Sequence, residues 1–496
     1  MSAFIGIDLG TTYSAVSYID DTGRPKVVHN SEGSNVTPSC IDFSNGKASV
    51  GEGARRSLGL SNSIAARFKR DMGTSKIYKI DGQEYTPTDC SAIVLKKILQ
   101  DTENVIGKVG EAVVTTPANF ANEARNATLE AAKSAGLNVK HIVNEPTAAA
   151  LYYAFQSGDD LHGHYAVYDL GGGTFDISII KANGQDVEVI TSDGVSRLGG
   201  DDFDIALQKI VQRKYKELTG EDLDEEDFTK TDAEEDKKSL SKRDSIKIRV
   251  MRNNIEVTRD EFEQEISSLI AQTEMLCESV IDEAKLKPSD IQDVFLAGGS
   301  TRIPAVLESV KRAFKKDPVS SVNVDEVVTL GAALYAAFKG DKSKLSSVQK
   351  NSIEKIKVSD ATTKCFGTIV LSQNQKGELE DRVSILINKN DKIPCSVTKS
   401  YYTTHDNQES VSFTITESVA AETDPRFVKI LWEDNLSLPP GRPEGQEIKV
   451  TYSYDDNQTI NASFVDVSTG KEMKHSLASV DENSKVNNKI DKFIVE

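Results

Sequence analysis

Two short segments of the chain have nearly the same sequence, and they constrain the fold more than any other feature. Residues 8–14 read DLGTTYS and residues 169–176 read DLGGGTFD, each after a short apolar run with strand character. Gly and Thr in such turns can approach a triphosphate closely and offer it N–H and hydroxyl groups. The Asp before the turn can hold a hydrated divalent cation. One copy is common in ordinary hairpins, but two copies predict a duplicated fold with ATP in the cleft between its halves.

Length and charge limit the class of protein. A chain of 496 residues is too long for one hydrophobic core, so we expect two to four domains. Its 38% hydrophobic and 27% charged residues are typical of a globular protein. The net charge of −18 argues against a nucleic-acid partner, because a nucleic-acid-binding surface is basic.

The cysteines and the N-terminus indicate a cytoplasmic protein. The five cysteines are odd in number, widely spaced and without a CxxC pair, which predicts reduced thiols rather than disulfides or zinc ligands. The first residues lead directly into a strand, with no signal-peptide pattern. No apolar run approaches the ~18–20 residues of a membrane span. We therefore expect no membrane association.

The first 345 residues alternate between strand and helix patterns. Residues 112–116 predict a buried strand, and residues 122–135, 146–155 and 331–338 predict helices. Such alternation indicates an α/β architecture. The highly charged run 221–238 is interpreted for the most part as a solvated helical face beside a loop.

The remaining residues have a different character. The polar segment 346–362 predicts an interdomain linker, and 363–480 contains short β-rich runs separated by turn signals, which predicts a β-sandwich. The runs are 365–371, 382–387, 396–403, 410–416, 427–432, 447–454 and 459–467. Residues 481–496 are interpreted as a short polar tail.

Two further segments have the chemistry to bind the nucleoside. In 296–304 (LAGGSTRIP) a strand runs into paired glycines that admit a flat ring, with Arg302 able to stack on its face. This signal is weak alone. In 234–241 (EEDKKSLS), Glu234, Lys237, Lys238 and Ser241 share one helical face. That face is either a solvated surface with ion pairs or a polar shelf for ribose and adenine.

Together these segments resemble the Hsp70 chaperone family, called DnaK in bacteria. The resemblance covers nearly the whole chain and rests on IGIDLGTTYS (5–14), FKRDMG (68–73), VVTTPANF (113–120), VNEPTAAAL (143–151), DLGGGTFD (169–176), LGGDDFD (198–204), LAGGSTRIP (296–304) and DEVVTLGAA (325–333). It implies the actin and sugar-kinase type of duplicated, split ATPase domain, followed by the mainly β sandwich. It also implies hydrolysis of ATP to ADP with Mg²⁺ and K⁺.

The resemblance assigns a role to individual residues of the ATPase. Catalysis would fall to Lys69, Glu145, Thr174 and Asp176, with the lysine near the γ-phosphate, where an ammonium offsets negative charge in the transition state. Asp8 and Asp169 would hold Mg²⁺ through its water shell. The phosphates and adenosine would contact Gly10, Thr11, Thr12, Tyr13, Gly171, Gly172, Gly173, Thr174, Gly199, Gly200, Glu234, Lys237, Lys238, Ser241, Gly298, Gly299, Ser300, Arg302 and Asp325.

For the second domain the resemblance implies binding of extended apolar polypeptide segments. The groove would be lined by Thr368, Leu371, Tyr402, His405, Val411 and Phe413. His405 stands where the family has a small residue. The family's helical lid is missing, so the chain is expected to be either lidless or shortened, and bound peptide should exchange quickly.

Communication between the domains is implied to use Pro117, Arg125, Ile356 and Val358. Two departures from the family pattern affect it. The linker reads IEKIKVSD at 353–360 in place of a leucine run, and Leu129 replaces a relay lysine. We therefore expect altered coupling.

Three functions compete at this point. The first is an ATP-hydrolysing chaperone for unfolded polypeptides, with a J-domain co-chaperone and a nucleotide exchange factor as partners. The second is an ATP-binding, Hsp70-like regulatory co-chaperone with one fixed protein partner. The third is a small-molecule kinase of the same superfold, against which the sandwich argues.

Overall fold

A computed structural model describes residues 3–477 except 159, 320, 321, 374 and 375. The chain divides into two compact units, one ending at Val358 and the other beginning at Ser359. The division falls inside the segment 346–362 that the sequence predicts to be a linker. The predicted polar tail at 481–496 lies outside the described residues. Within the described part, no helix combines the length and apolar character that a membrane crossing requires.

The first half of the first unit is built on a mixed sheet. Its strands are β1 (Ala3–Asp8), β2 (Tyr13–Ile19), β3 (Pro25–Val27), β4 (Thr37–Pro38), β5 (Cys40–Asp42), β6 (Ser49–Val50), β7 (Ile64–Ala66), β8 (Tyr78–Ile80), β9 (Gln83–Tyr85), β10 (Val109–Thr116) and β11 (Val139–Asn144). Its helices are α1 (Glu52–Arg56), α2 (Pro87–Ile106), α3 (Asn122–Ser134) and α4 (Glu145–Ser157). The main sheet has the order β11-β10-β1-β2-β3.

The second half repeats this plan. Its strands are β12 (His162–Leu170), β13 (Phe175–Asn183), β14 (Asp186–Val195), β15 (Ser245–Val250), β16 (Asn253–Thr258) and β17 (Ile291–Ala297). Its helices are α5 (Gly200–Thr219), α6 (Lys230–Leu240), α7 (Arg259–Glu265), α8 (Ser267–Glu283), α9 (Pro304–Phe314) and α10 (Val327–Lys339). The main sheet contains the order β17-β12-β13-β14.

The two sheets share one connection pattern. In the first, β1 pairs antiparallel with β2 and parallel with β10. In the second, β12 pairs antiparallel with β13 and parallel with β17. Each Asp-Leu-Gly turn therefore joins the first two strands of its own sheet. The observed architecture agrees with the duplicated α/β fold that the two turns predict.

Helix α10 packs against both halves, and small residues permit this. A Cβ added to Gly331 would lie 1.7 Å from the carbonyl oxygen of Ala148 in α4. The hydroxyl of Thr329, also in α10, donates to the carbonyl of Gly6 in β1 at 3.0 Å. The Ala-rich sequence of this helix is thus explained by close backbone approach.

The start of the predicted linker belongs to the first unit. Helix α11 (Ser347–Ile353) begins with a capping box at Ser346. Gln349 in this helix donates to the carbonyl of Ile19 at 3.0 Å. Ile353 and Ile356 are buried. These apolar side chains attach the segment to the first unit, although its polar composition is typical of a free linker. Strand β18 (Lys357–Ala361) follows and contains the division between the units.

Eight of the nine strands described in the second unit form two four-stranded antiparallel sheets. Its strands are β19 (Cys365–Gln373), β20 (Leu379–Ile387), β21 (Lys392–Ile393), β22 (Cys395–Tyr402), β23 (Ser410–Ser418), β24 (Lys429–Ser437), β25 (Glu447–Tyr454), β26 (Ile460–Asp466) and β27 (Glu472–Ser476). One sheet has the order β20-β19-β23-β24 and the other β22-β25-β26-β27, and the short β21 pairs with residues 360–361 of β18. Residues such as Phe413, Ile415, Tyr452 and Phe464 fill the core of this unit. The sequence patterns did not predict β27, a short edge strand of polar and half-exposed residues.

Candidate functional site

The two Asp-Leu-Gly turns face each other across the first unit. A Cβ added to Gly172 would lie 1.9 Å from Thr12 Oγ1, and one added to Gly173 would lie 2.3 Å from Thr11 Oγ1. The turns approach this closely because these positions are glycine. Thr12 Oγ1 is buried and has no hydrogen-bond partner in the described part of the chain. A hydroxyl in that state is a ready donor for an anion placed between the turns.

A cavity of about 710 Å³ lies at these turns, within the first unit. It collects nearly all residues that the sequence assigned to ATP and metal: Asp8, Gly10, Thr11, Thr12, Tyr13, Lys69, Glu145, Asp169, Gly171, Gly172, Gly173, Thr174, Gly200, Glu234, Lys237, Lys238, Ser241, Gly298, Gly299, Ser300, Arg302 and Asp325. Gly199 and Asp176 are not among its lining residues. Gly199 packs against the backbone of Gly172, since a Cβ added to it would lie 2.7 Å from the carbonyl carbon of Gly172. Asp176 is buried. Their predicted roles remain predictions.

Lys69 and Glu145 form a buried ion pair at the cavity. Lys69 lies on the 3-10 turn Phe68–Asp71, and Glu145 is the first residue of α4. Lys69 Nζ donates to Glu145 Oε1 at 2.6 Å. Burial alone would lower the pKa of Lys69, but Glu145 and then Asp8 raise it above its ordinary value. Lys69 is therefore an ammonium when it faces the cavity.

Carboxylates outnumber cations at this end of the cavity. Burial, then the charge of Glu145, raises the pKa of Asp8 to about 7 and that of Asp176 to about 7. The same causes raise the pKa of Asp169 well above its ordinary range. In the described part of the chain, the half-buried Asp8 and the buried Glu145, Asp169 and Asp176 thus share one ammonium, that of Lys69.

This donor set fits a hydrated divalent cation. In the described residues, no group of three or more His, Cys, Asp or Glu could ligate a metal directly. Mg²⁺ characteristically keeps several waters and is held by one or two carboxylates together with phosphate oxygens. Asp8 and Asp169 are suited to that outer role, and the added positive charge would lower their pKa values again.

At the other end of the cavity, α6 and the 3-10 turn Gly299–Arg302 carry the residues predicted for adenosine. Ser300 donates to the carbonyl of Gly171 at 2.9 Å, which fixes this turn to the phosphate turn. Arg302 pairs with Asp325 at 2.8 Å. Lys237 pairs with the buried Asp204 at 2.6 Å.

One ionic network crosses between the halves beside the adenosine residues. Glu234 of α6 accepts from Arg55 at 3.0 Å and from Tyr13 at 3.1 Å, and pairs with Lys238 at 2.8 Å. Burial alone would raise the pKa of Glu234, but Lys238 and Arg55 lower it to about 2. Glu234 and Lys237 are buried and line the cavity, so at these two positions the solvated alternative is wrong, whereas Glu235 and Lys238 are exposed.

The predicted relay residues of the first unit form a local network. Arg125 is buried and donates to Thr116 Oγ1 at 2.9 Å and to the carbonyl of Ala118 at 2.8 Å. It therefore fixes the loop that contains Pro117. In the same loop, the N–H of Asn119 donates to Asp176 Oδ1 at 3.3 Å. Of the predicted linker contacts, Ile356 is buried and Val358 is half-buried. Their role in communication is still a prediction.

The structure separates the residues predicted for peptide binding. Leu371, Tyr402 and His405 are exposed, and Val411 is half-buried against the core. Thr368 and Phe413 are buried, and the ring of Phe413 stacks on that of Phe464 at 4.4 Å. The last two side chains therefore contribute to the core of the second unit. An extended ligand could reach the exposed three without moving the core.

Near Thr368 the pairing of β19 with β23 changes. Backbone pairing joins 365–367 to 416–418. Further along, the N–H of Ile369 donates to Thr414 Oγ1 at 2.8 Å. The hydroxyl of Tyr452 donates to the carbonyls of Gly367 and Thr414 at 3.1 and 2.6 Å. Side chains thus replace backbone pairing where the two strands continue.

Several residues of the site were missed by sequence reasoning. Ser14, Asp201, Asp204 and Lys242 also line the cavity. The two aspartates lie inside the segment 198–204 on which the resemblance rests, so the motif itself was a signal for them. Arg55 carried no signal, because its partner is 179 residues away in sequence.

A comparison with known protein families gives a match that covers nearly the whole chain. The family described as Hsp70 protein matches residues 4–79 and 75–496 of the chain. The matched residues include both units and all the elements that surround the cavity.

Proposed function

The chain belongs to the Hsp70 family, and on that premise we propose that it is an ATP-dependent molecular chaperone. Hsp70 proteins are ATPases, and membership of the family suggests a chaperone. The finer proposal is that the first unit hydrolyses ATP to ADP, and that this hydrolysis controls the binding of extended apolar polypeptide segments by the second unit.

The observation that carries the proposal is the buried Lys69–Glu145 pair at the junction of the two facing turns. Phosphoryl transfer depends mainly on positioning and on electrostatic stabilisation, and needs no side-chain nucleophile. The hydroxyl of Thr12 and the N–H groups of 172–174 would bind phosphate oxygens, while the N–H of Gly171 closes the turn by donating to the carbonyl of Thr174. The Lys69 ammonium would offset charge that develops in the transition state.

The attacking water and the cations would be held by carboxylates. Glu145 accepts a hydrogen bond from Lys69 with one oxygen and could orient a water molecule with the other. Asp176 follows the turn 171–174 in sequence and accepts a hydrogen bond from the N–H of Asn119. Bound Mg²⁺ would neutralise phosphate charge, held through water by Asp8 and Asp169. K⁺ is proposed as a second cation on the strength of the family alone.

The test is ATP turnover by the full chain and by Lys69→Ala. We expect the variant to bind ATP with unchanged affinity and to lose about 100-fold or more in single-turnover hydrolysis, because the charge it removes acts in the transition state. A J-domain protein and an apolar peptide should stimulate the wild-type protein, and an exchange factor should speed ADP release. Equal hydrolysis by the two proteins would show that the catalytic assignment is wrong.

A second candidate is a regulatory Hsp70-like protein with one fixed partner. Thr368 and Phe413 favour it, since both are buried where a peptide groove would use them. Anisotropy of a fluorescent apolar peptide, measured with ATP and with ADP, separates the two functions. A chaperone should bind more tightly with ADP, whereas nucleotide-independent or absent binding would favour the fixed partner.

A further inference from the structure

The 3-10 turn that carries Lys69 is attached to the opposite half of the first unit by an arginine on each side. Arg67 immediately precedes the turn, and Arg70 lies within it. Arg67 Nε lies 2.8 Å from Asp201 Oδ1, and the two side chains are 16% and 2% exposed. Arg70 Nε donates to the carbonyl of Gly173 at 3.1 Å, and its guanidinium also pairs with Asp202. Lys69 is thus held from both sides by contacts outside its own half.

The acceptors of these contacts belong to the phosphate turn and to the start of α5. The N–H of Asp201 donates to the carbonyl of Gly172 at 2.8 Å. The N–H of Gly199 donates to Asp202 Oδ2 at 2.9 Å. The two aspartates therefore move with the glycines of 171–173, and the arginines relate the position of Lys69 to that turn.

The backbone of Arg67 supports a positional role. Its φ and ψ angles are 61° and 15°, in the left-handed region that a residue with a side chain seldom adopts. Such a conformation persists where the surroundings determine it. The ion pair with Asp201 is a contact of this kind, and salt screens it little because Asp201 is buried and Arg67 is largely covered.

We propose that Arg67 is a positioning residue for hydrolysis. Together with Arg70 it holds Lys69 in register with the phosphate turn when the two halves are closed. Arg67 acts through Lys69 and contributes little to nucleotide affinity. This inference rests on the proposed ATPase function. Its test must therefore distinguish failure of the positioning role of Arg67 from failure of ATP hydrolysis itself.

Single-turnover hydrolysis and ATP affinity should be measured for the full chain, Arg67→Ala, Lys69→Ala and the double variant. A displaced catalytic group costs about 10- to 100-fold in rate, so Arg67→Ala should lose that much with an ATP Kd within about threefold of wild type. Arg67→Lys should restore part of the rate, since it keeps the charge. In the double variant the loss should not exceed that of Lys69→Ala, because the effect of Arg67 passes through Lys69.

Arg197→Ala is the matched control. Arg197 pairs with Asp71 of the same turn at 2.9 Å but is 67% exposed, so its removal should change the rate by less than about twofold. Additive losses in the double variant, a loss in Arg197→Ala equal to that in Arg67→Ala, or an ATP affinity that falls as much as the rate would each overturn the proposal.

Hydrogen exchange tests the positioning role of Arg67 without a measurement of hydrolysis. The turn is closed by bonds from the N–H of Arg70 to the carbonyl of Arg67 and from that of Met72 to that of Lys69. With a non-hydrolysable ATP analogue bound, Arg67→Ala should exchange these amides faster than wild type and Arg197→Ala should not. If wild type hydrolyses ATP no faster than Lys69→Ala, the ATPase proposal fails. Amide exchange in Arg67→Ala equal to that in wild type would refute the positioning role of Arg67, whatever the hydrolysis rates are.

Discussion

Replacing Arg55 by alanine should speed the release of bound nucleotide. Arg55 extends from α1 in one half of the first unit to Glu234 and Glu235 of α6 in the other, at 3.0 and 2.6 Å. It is buried, and Glu234 lines the cavity at the end predicted for adenosine. Opening the cavity at this end requires the contact to break.

The pKa of Glu234 gives the size of the effect. Burial raises this pKa, but Lys238 and Arg55 together lower it to about 2 from an ordinary 4.5. Since one pKa unit corresponds to about 1.4 kcal/mol, its surroundings favour the ionised carboxylate by about 3 kcal/mol. If Arg55 supplies about half of this, its loss costs about 1.5 kcal/mol. That corresponds to release about tenfold faster, provided that the contact is absent in the open state.

Stopped-flow displacement of a fluorescent ADP measures the release rate, and Arg56→Ala is the control. Arg56 is the next residue of the same helix, 77% exposed, and pairs with Glu52 of that helix at 3.2 Å. Its variant should release ADP at the wild-type rate. The reasoning is refuted if Arg55→Ala and Arg56→Ala release ADP equally fast while both remain folded at the assay temperature.

Two further substitutions test the phosphate turn and the second unit. Gly172→Ala places a Cβ 1.9 Å from a threonine hydroxyl of the facing turn. ATP affinity, measured by calorimetry, should therefore fall about tenfold. Gly53→Ala is the control, because its added Cβ has open space, and it should bind ATP with wild-type affinity. Burial alone would raise the pKa of Asp466, but Arg442 lowers it to about 2 from 3.8. The ionised form then adds about 2 kcal/mol of stability above pH ~4, lost as the pH falls through ~2. Asp466→Asn should remove that contribution near neutral pH and flatten acid unfolding followed by fluorescence of Trp432, the only tryptophan; an unchanged acid transition would contradict the assignment.

Local patterns made much of the fold predictable. The duplicated turn and the Ala-rich helix that became α4 were recognised because each depends only on residues that are neighbours in sequence. In the second unit, seven of the strands were recognised from β-rich runs separated by turn signals in the sequence. Strand β27 was missed because its sequence, EMKHS, lies on a sheet edge and has no apolar face for a pattern to reveal.

Contacts distant in sequence were not predictable. The motif 68–73 brought Lys69 to attention but not Arg67, which lies one residue outside it and whose partner Asp201 belongs to the other half. A lone arginine is far more often a surface residue. Similarly, Thr368 and Phe413 follow a strand pattern, and only packing against the opposite sheet decides that they face the core.

The two arginine contacts between the halves imply that retention of nucleotide and its hydrolysis can be separated. Arg55 meets Glu234 at the adenosine end of the cavity, and Arg67 meets Asp201 at the phosphate end. Loss of the first should let the cavity open without displacing Lys69. Loss of the second should displace Lys69 while the cavity stays closed on the base. Arg55→Ala should therefore change ADP release with little effect on single-turnover hydrolysis, and Arg67→Ala should do the reverse. If each variant changed both rates to the same degree, the halves would move as one rigid closure, and neither contact would have a separate role.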